Sequence, residues 1–213
     1  MCGIVGYVGH RSAQDVVVEG LRRLEYRGYD SAGVALVAAG PGGAGRVEWR
    51  KRAGKLANLE KLIGEEPLPE VTIGIGHTRW ATHGAPNDVN AHPHLGNRRR
   101  VAVVHNGIIE NFDDLRARLE ADDHQLSSET DTEVAAHLLE LQVESGVDLT
   151  VAMQRVCQVL EGAFTLVAVD GQDPDRVVAA RRNSPLVVGV GEGENFLGSD
   201  VAAISTKATK NDD

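Results

Sequence analysis

Cys2-Gly-Ile-Val-Gly-Tyr-Val8 (CGIVGYV) follows directly behind Met1. A nearly continuous apolar run of this length reads as a short buried strand over Gly3–Val8, with Cys2 held still at its start. Once Met1 is removed, Cys2 carries a free α-amine beside its own thiol. Such an amine has a pKa of roughly 7.7–8.0, so a neutral fraction is present near pH 7 and can act as a base. Pairing an N-terminal nucleophile with its own amine activates a weak side chain without a separate His or Asp. The opening therefore predicts a strand that pins a reactive terminus.

Working outward, Ser12 with Asp15 resembles a capping box, and Val17, Leu21 and Leu24 at helical spacing predict a helix from about 13 to 26 that ends near Arg27-Gly28. Residues 31–38 (SAGVALVA) and 46–52 (RVEWRKR) predict an antiparallel hairpin around the Gly-rich loop at 41–43. Leu56, Leu59, Leu62 and Ile63 mark a short helix, and Pro67-Leu-Pro69 separates it from a strand at 72–77. Residues 79–100, broken by Gly84, Pro86, Pro93 and Gly96, form a stretch too long to be an idle connection.

A strand at 101–104 is expected to end in His105-Asn106-Gly107, so polar groups sit at a strand terminus. Asn111 is expected to cap a helix carrying Phe112, Leu115 and Leu119. Thr130-Asp-Thr-Glu133 reads as a second capping box, opening a helix with Val134, Leu138 and Leu141, and another helix runs from about 149 to 160. Four closely spaced strands follow at 164–170, 176–181, 186–191 and 195–200. Strand-rich ends around a helical middle predict an α+β layered fold, not the strict alternation of a doubly wound sheet.

The 213 residues suffice for one substantial core, and 42% hydrophobic with 25% charged residues is an ordinary globular composition. A net charge of -9 disfavours nucleic acid and anionic membrane surfaces as partners and fits a small soluble substrate. No apolar run approaches the roughly 18 residues of a membrane helix, and no basic segment with an apolar run opens the chain, so a cytoplasmic location is expected. Cys2 and Cys157 are too few for a disulfide framework. Lipidation is disfavoured, because Gly is residue 3 and no signal segment precedes Cys2. Cys157, among Val156, Val159 and Leu160, reads as an inert core thiol.

Breaking an amide through a thioester needs donors for the tetrahedral oxyanion, and the Asn106 carboxamide with the Gly107 N–H supplies two. A free amino acid needs a cation for its α-carboxylate and an anion for its α-ammonium. Arg79 offers a bidentate fork for the first, and Asp131 an acceptor for the second, although from the residues alone a plain helix start is the favoured reading of Asp131. His77, His83, His92, His94 and His105 fall within 29 residues, but no Cys or carboxylate completes a ligand spacing, and no metal is expected. They read as loop caps bonded to backbone, with a substrate-side contact plausible only for His83. Arg98-Arg-Arg100 reads as a solvated turn. Trp80, in a Gly/Pro-punctuated loop, reads as part of a mobile lid.

Six ordered stretches carry a resemblance: Cys2-Gly-Ile-Val-Gly6, Glu25-Tyr-Arg-Gly-Tyr-Asp-Ser-Ala-Gly33, His77-Thr-Arg-Trp-Ala-Thr-His-Gly84, Asn90-Ala-His-Pro-His94, Val104-His-Asn-Gly-Ile-Ile-Glu-Asn111 and Glu129-Thr-Asp-Thr-Glu133. From Cys2 to about Ile204 the chain resembles the class II glutamine amidotransferases, and within them the branch that converts fructose 6-phosphate to glucosamine 6-phosphate. The resemblance implies an N-terminal nucleophile hydrolase fold, a four-layer αββα sandwich of two antiparallel sheets, acting on L-glutamine without a cofactor. It implies that Cys2 is the nucleophile, Asn106 and Gly107 the oxyanion hole, Arg79 the carboxylate site and Asp131 the ammonium site. Trp80, Thr82 and His83 would lie in the loop that closes over glutamine, with Arg27 and Gly28 near the catalytic terminus.

Two features depart from that branch. Nothing here resembles its sugar-isomerase domains, so fructose 6-phosphate is reached only through a missing domain, in a whole enzyme expected to be a homodimer. The expected glutaminase domain spans 2–204, and the tail 205–213 (STKATKNDD) does not look like the family's continuation. The rival readings are a glutaminase subunit serving another acceptor and a noncatalytic module that senses glutamine.

Overall fold

Strands that are apolar on both faces need a covering layer on each side. The fold, seen in a computed structural model that describes residues 2–40, 45–81 and 84–204, supplies both layers. Along β1 (Gly3–Val8) the alternation of side chains sends Ile4 one way and Val5 and Tyr7 the other. Val5 and Tyr7 pack on α1 (Ala13–Arg23) and α2 (Leu56–Glu65) through Val17, Leu21 and Leu59. Ile4 joins a second cluster with Ile75, Val104 and Val167, which lies between the two sheets.

The larger sheet holds β2 (Ser31–Ala38), β3 (Arg46–Ala53), β4 (Ile73–Arg79), β9 (Val187–Val190) and β10 (Asn195–Gly198) with β1, in the order β3-β2-β4-β1-β10-β9. The smaller sheet holds β5 (His94–Leu95), β6 (Val101–Ile109), β7 (Gly162–Asp170) and β8 (Val178–Arg182) in chain order. Every pairing is antiparallel. Val101 and Val103 of β6 face a third cluster, formed with α3 (Phe112–Ala121), α4 (Asp131–Glu144) and α5 (Leu149–Val159). The layers are thus helix, sheet, sheet and helix, as the resemblance implies, with a single turn, α6 (Val201–Ile204), behind β10.

Most expected elements form within a few residues of their expected bounds. The first helix stops at Arg23, and Glu25–Arg27 makes a 3-10 turn instead of continuing it. The Ser12 hydroxyl accepts from the Asp15 N–H at 3.3 Å, as the capping pattern predicts. The second capping box does not form: Thr130 makes no cap bond, and the Glu133 carboxylate takes the Ser127 and Ser128 N–H groups at 3.0 and 2.6 Å. Asn111 likewise leaves its helix uncapped, bonding Val159 and Glu161 across the β7 entrance. Arg100 is not part of a solvated turn, since Nε and Nη2 grip the buried Asp170 carboxylate at 2.8 and 2.6 Å. Cys157 packs half-buried against the cluster under α5. The loop at 41–43 and the tail 205–213 lie outside the described residues.

Candidate active site

Cys2 sits at the head of β1, between β4 and β10 in the middle of the larger sheet. The first residue of a central strand is held by its neighbours' ladders, which fixes an otherwise loose terminus. The Cys2 carbonyl accepts from Asn106 Nδ2 at 3.3 Å and from Arg27 Nη1 at 3.4 Å. Its Sγ accepts from the Trp80 N–H at 3.2 Å. Burial pushes the thiol pKa up, and the Trp80 hydrogen bond and the Arg79 charge oppose that without cancelling it. At neutral pH the sulfur therefore keeps its proton and needs a base to lose it.

Asn106 and Gly107 do not lie at a strand end. β6 runs on to Ile109, with Asn106 opposite Thr165 and Gly107 opposite Phe164. The pairing survives because Gly107 takes φ 124°, and a Cβ there would stand 2.1 Å from the Ala163 carbonyl oxygen. Only glycine lets the strand carry the two candidate oxyanion donors and stay in the sheet.

β4 also runs further than its pattern predicts and ends on Arg79 itself, which is 5% exposed. Across a small cavity from it stand Asp131 and Thr132, the first residues of α4. Cys2, Arg79, Trp80, Gly107 and Asp131 all line this cavity, so four separated segments converge there as the sequence reading requires. Burial would raise the Asp131 carboxyl, but hydrogen bonds from His105, the Ile109 N–H and Thr132 outweigh it and hold the pKa below the usual range. Asp131 Oδ2 accepts from the Ile109 N–H at 2.8 Å.

His92 and His105 line the same cavity, a role the sequence reading missed. The Thr132 hydroxyl donates to Asp131 Oδ1 at 3.3 Å. Its oxygen can then accept from His92 Nε2 at 2.8 Å and His105 Nδ1 at 3.0 Å. His94 bonds the Thr130 hydroxyl at 2.9 Å, and His77 bonds Asn106 Oδ1 at 2.9 Å. These four histidines are buried in the interior and bonded to side chains and are not exposed loop caps, although His77 also bonds the His105 backbone and His94 the Asn90 backbone, as expected of them. Their closeness in sequence is the local signal of a cluster, but it does not record that they share a buried site. Among the described residues, no three His, Cys, Asp or Glu side chains are placed to hold a metal ion.

Arg27 and Gly28 do lie at the catalytic terminus. Arg27 bridges the Cys2 carbonyl and Asp200, the latter at 2.6 Å. Gly28 has φ 74°, and a Cβ there would approach the Trp80 ring at 3.0 Å. Trp80 stands half-exposed at the cavity rim, and the following residue is anchored by the Ala81 N–H to Asp30. Behind them, Lys51 Nζ donates to the Val89, Ala91 and Pro93 carbonyls at 3.0, 2.8 and 3.2 Å, tying the long loop to β3. Thr82 and His83 lie outside the described residues.

A family model for the glutamine amidotransferase domain matches residues 77–206. The chain belongs to this family. The amidotransferase domain is 67% identical over 203 residues to the glutamine–fructose-6-phosphate aminotransferase [isomerizing] of Streptomyces coelicolor, covering 95% of this chain and 32% of that protein. It is 55% identical over 204 residues to the enzyme of the same name from Thermus thermophilus, covering 96% and 32%. The chain thus spans about a third of the length of the curated relatives it matches. Among solved structures, the glutamine phosphoribosylpyrophosphate amidotransferase of B. subtilis, complexed with ADP and GMP, superposes with a TM-score of 0.78 at 25% identity. That match covers 95% of this chain and 43% of the other. No helix among the described residues is long and apolar enough to cross a membrane.

Proposed function

We propose that the domain spanning residues 2–204 hydrolyses L-glutamine to L-glutamate and ammonia through a γ-glutamyl thioester on Cys2. The observation that carries this reading is the convergence on one cavity of Cys2, Gly107, Arg79 and Asp131, with Asn106 bonded to the Cys2 carbonyl beside it. Arg79 takes the α-carboxylate and Asp131 the α-ammonium, which aims the side-chain amide at Sγ. The free α-amine of Cys2 removes the thiol proton as sulfur attacks the amide carbon. Asn106 Nδ2 and the Gly107 N–H receive the oxyanion. The ammonium so formed returns its proton to the leaving ammonia, and water, activated by the same amine, then cleaves the thioester.

Intact mass after treatment with an electrophilic glutamine analogue tests the reading. The expected species lacks Met1 and carries one adduct on Cys2. Turnover by protein that retains Met1, or glutamine binding without turnover, sinks it.

Asp131→Asn keeps the shape and an oxygen for the Ile109 N–H but removes the charge. Losing one charged hydrogen bond of about 1.5–3 kcal/mol should raise the glutamine KM by roughly 10–150-fold. Steady-state kinetics should show kcat changing far less, and an unchanged KM would remove Asp131 from the ammonium site.

In a longer protein like the relatives, the ammonia would pass to a separate sugar-isomerase domain that holds fructose 6-phosphate and yield glucosamine 6-phosphate, in a homodimeric cytoplasmic enzyme. The high identity to aminotransferases of that name supports this assignment over other acceptors. Glutamine-dependent formation of glucosamine 6-phosphate by the full-length protein is the expected result.

A further inference from the structure

Asn106 has a carboxamide whose two ends have opposite character, and the structure determines which end faces the nucleophile. One end lies 3.3 Å from the Cys2 carbonyl oxygen. A carbonyl oxygen only accepts, so that end must be Nδ2, and Oδ1 must point the other way. There it meets His77 Nε2 at 2.9 Å. Oδ1 also only accepts, so Nε2 must carry the ring proton. No hydrogen bond of ordinary geometry reaches His77 Nδ1 among the described residues, although the His105 backbone also approaches the ring.

This bond joins the two sheets. His77 lies on β4, paired with Ile4 and Gly33, beside the strand that carries Cys2. Asn106 lies on β6 of the other sheet. Around it the layer between the sheets is filled by apolar residues such as Ile75, Val104 and Val167. The imidazole is fully buried and lies against His92 with ring centroids 4.1 Å apart, so it has little freedom to turn. Burial also pushes its pKa down to about 3, which keeps it neutral in the working range.

We infer that His77 is a positioning residue that holds the Asn106 carboxamide with Nδ2 toward Cys2, so that the oxyanion meets a donor and not an oxygen. Nδ2 has two hydrogens. One is engaged by the Cys2 carbonyl, which leaves the second for the developing charge. Without a donor at His77, Oδ1 loses its partner and the carboxamide can turn about its terminal torsion, which is broad and two-fold. The turned form would place a lone pair where charge develops. Glutamine binding through Arg79 and Asp131 is untouched by that turn, so the effect falls on kcat. The inference rests on the glutaminase reading above.

Kinetics of glutamine hydrolysis test it with His77→Phe, which removes the donor, and His77→Gln, whose amide can restore it. Loss of an oxyanion donor costs roughly 10²–10³-fold in kcat, which bounds the effect from above. The expected result for His77→Phe is a kcat lower by about 10–100-fold with KM within about threefold, and for His77→Gln recovery of most of the loss. Combined with Asn106→Ala, His77→Phe should add almost nothing, because the group it positions is gone. A kcat within twofold of wild type, an equal change in KM, or full additivity overturns the inference.

Should His77→Phe fail to fold, nitrogen-15 NMR of the unsubstituted protein decides the matter. The neutral ring protonated on Nε2 is expected from pH 8 to 5, and an Nδ1-protonated ring or an imidazolium overturns the inference. An inactive wild-type protein would remove the glutaminase reading and this inference together, whereas an active one insensitive at His77 removes this inference alone.

Discussion

Cys2→Ala is expected to lower glutamate release by at least about 10³-fold, since the remaining oxyanion donors and substrate contacts give only the residual catalysis seen when a nucleophile is removed. The fold should survive. Cys2 is half-buried at the start of β1, its sulfur bonds only to the Trp80 backbone among the described residues, and the strand is held by Ser199 and by β4 without it. Losing one sulfur in that position should cost within about 1 kcal/mol, the range of ordinary substitutions away from a packed core. Glutamine should still bind, because Arg79 and Asp131 are unchanged. Steady-state rates with calorimetric binding check both halves, and a variant that keeps a tenth of the wild-type rate would sink the thioester mechanism.

Acid should unfold the domain over an unusually short pH range. Burial pushes His77 down to about 3 and His137 down to about 4, and holds His92 and His94 well below the ordinary value. All four are near 6.5 in the unfolded chain, so unfolding below that pH takes up protons. The stability they contribute is complete above about pH 6.5 and is lost as pH falls toward the folded values, at up to about 1.4 kcal/mol per unit for each group. Asp131 and Glu133, held below their ordinary values, act in the same direction at lower pH.

Between pH 6.5 and 5 His77 and His137 together remove about 3 kcal/mol, and His92 and His94 act in the same direction. Thermal melts should be nearly level from pH 8 to 7. They should then fall by at least roughly 6–12 °C by pH 5, from about 2–4 °C per kcal/mol in a chain of this length. A fall under about 5 °C would mean that these histidines already bind protons in the folded state.

Element identity was largely legible because it is local. The apolar strand run at residues 31–38, the Leu spacing at 56–63 and the Gly and Pro breaks are all read within a dozen residues, and β2, α2 and the long loop between β4 and β6 follow. Sheet membership was not legible. β8 and β9 are close in sequence, yet the first pairs with β7 in the smaller sheet and the second with β10 in the larger. Long-range ladders decide that, and no local pattern records them.

The two capping boxes show the same division. The Ser12–Asp15 bond forms at the exposed start of α1, and there the local rule holds. Glu133 is drawn instead to the Ser127 and Ser128 N–H groups just ahead of the helix, and Asn111 to Val159 and Glu161, some fifty residues away in sequence, so partners outside the capping pattern win in both cases. Arg100 follows the same rule at Asp170.

The sequence by itself determined which chemical groups exist and in what order: a thiol behind a removable Met, an amide-glycine pair, an arginine, an aspartate and a strand to hold the terminus. These follow from residue type and short-range spacing. Only the tertiary structure decided which groups meet, as with Cys2 and Trp80, which are 78 residues apart, or His77 and Asn106, 29 apart. It also decided their protonation, raising the Cys2 thiol and keeping the buried histidines neutral. The physical reason is that desolvation and hydrogen-bond satisfaction depend on everything packed around a group, and that packing is made by segments remote from one another in the chain.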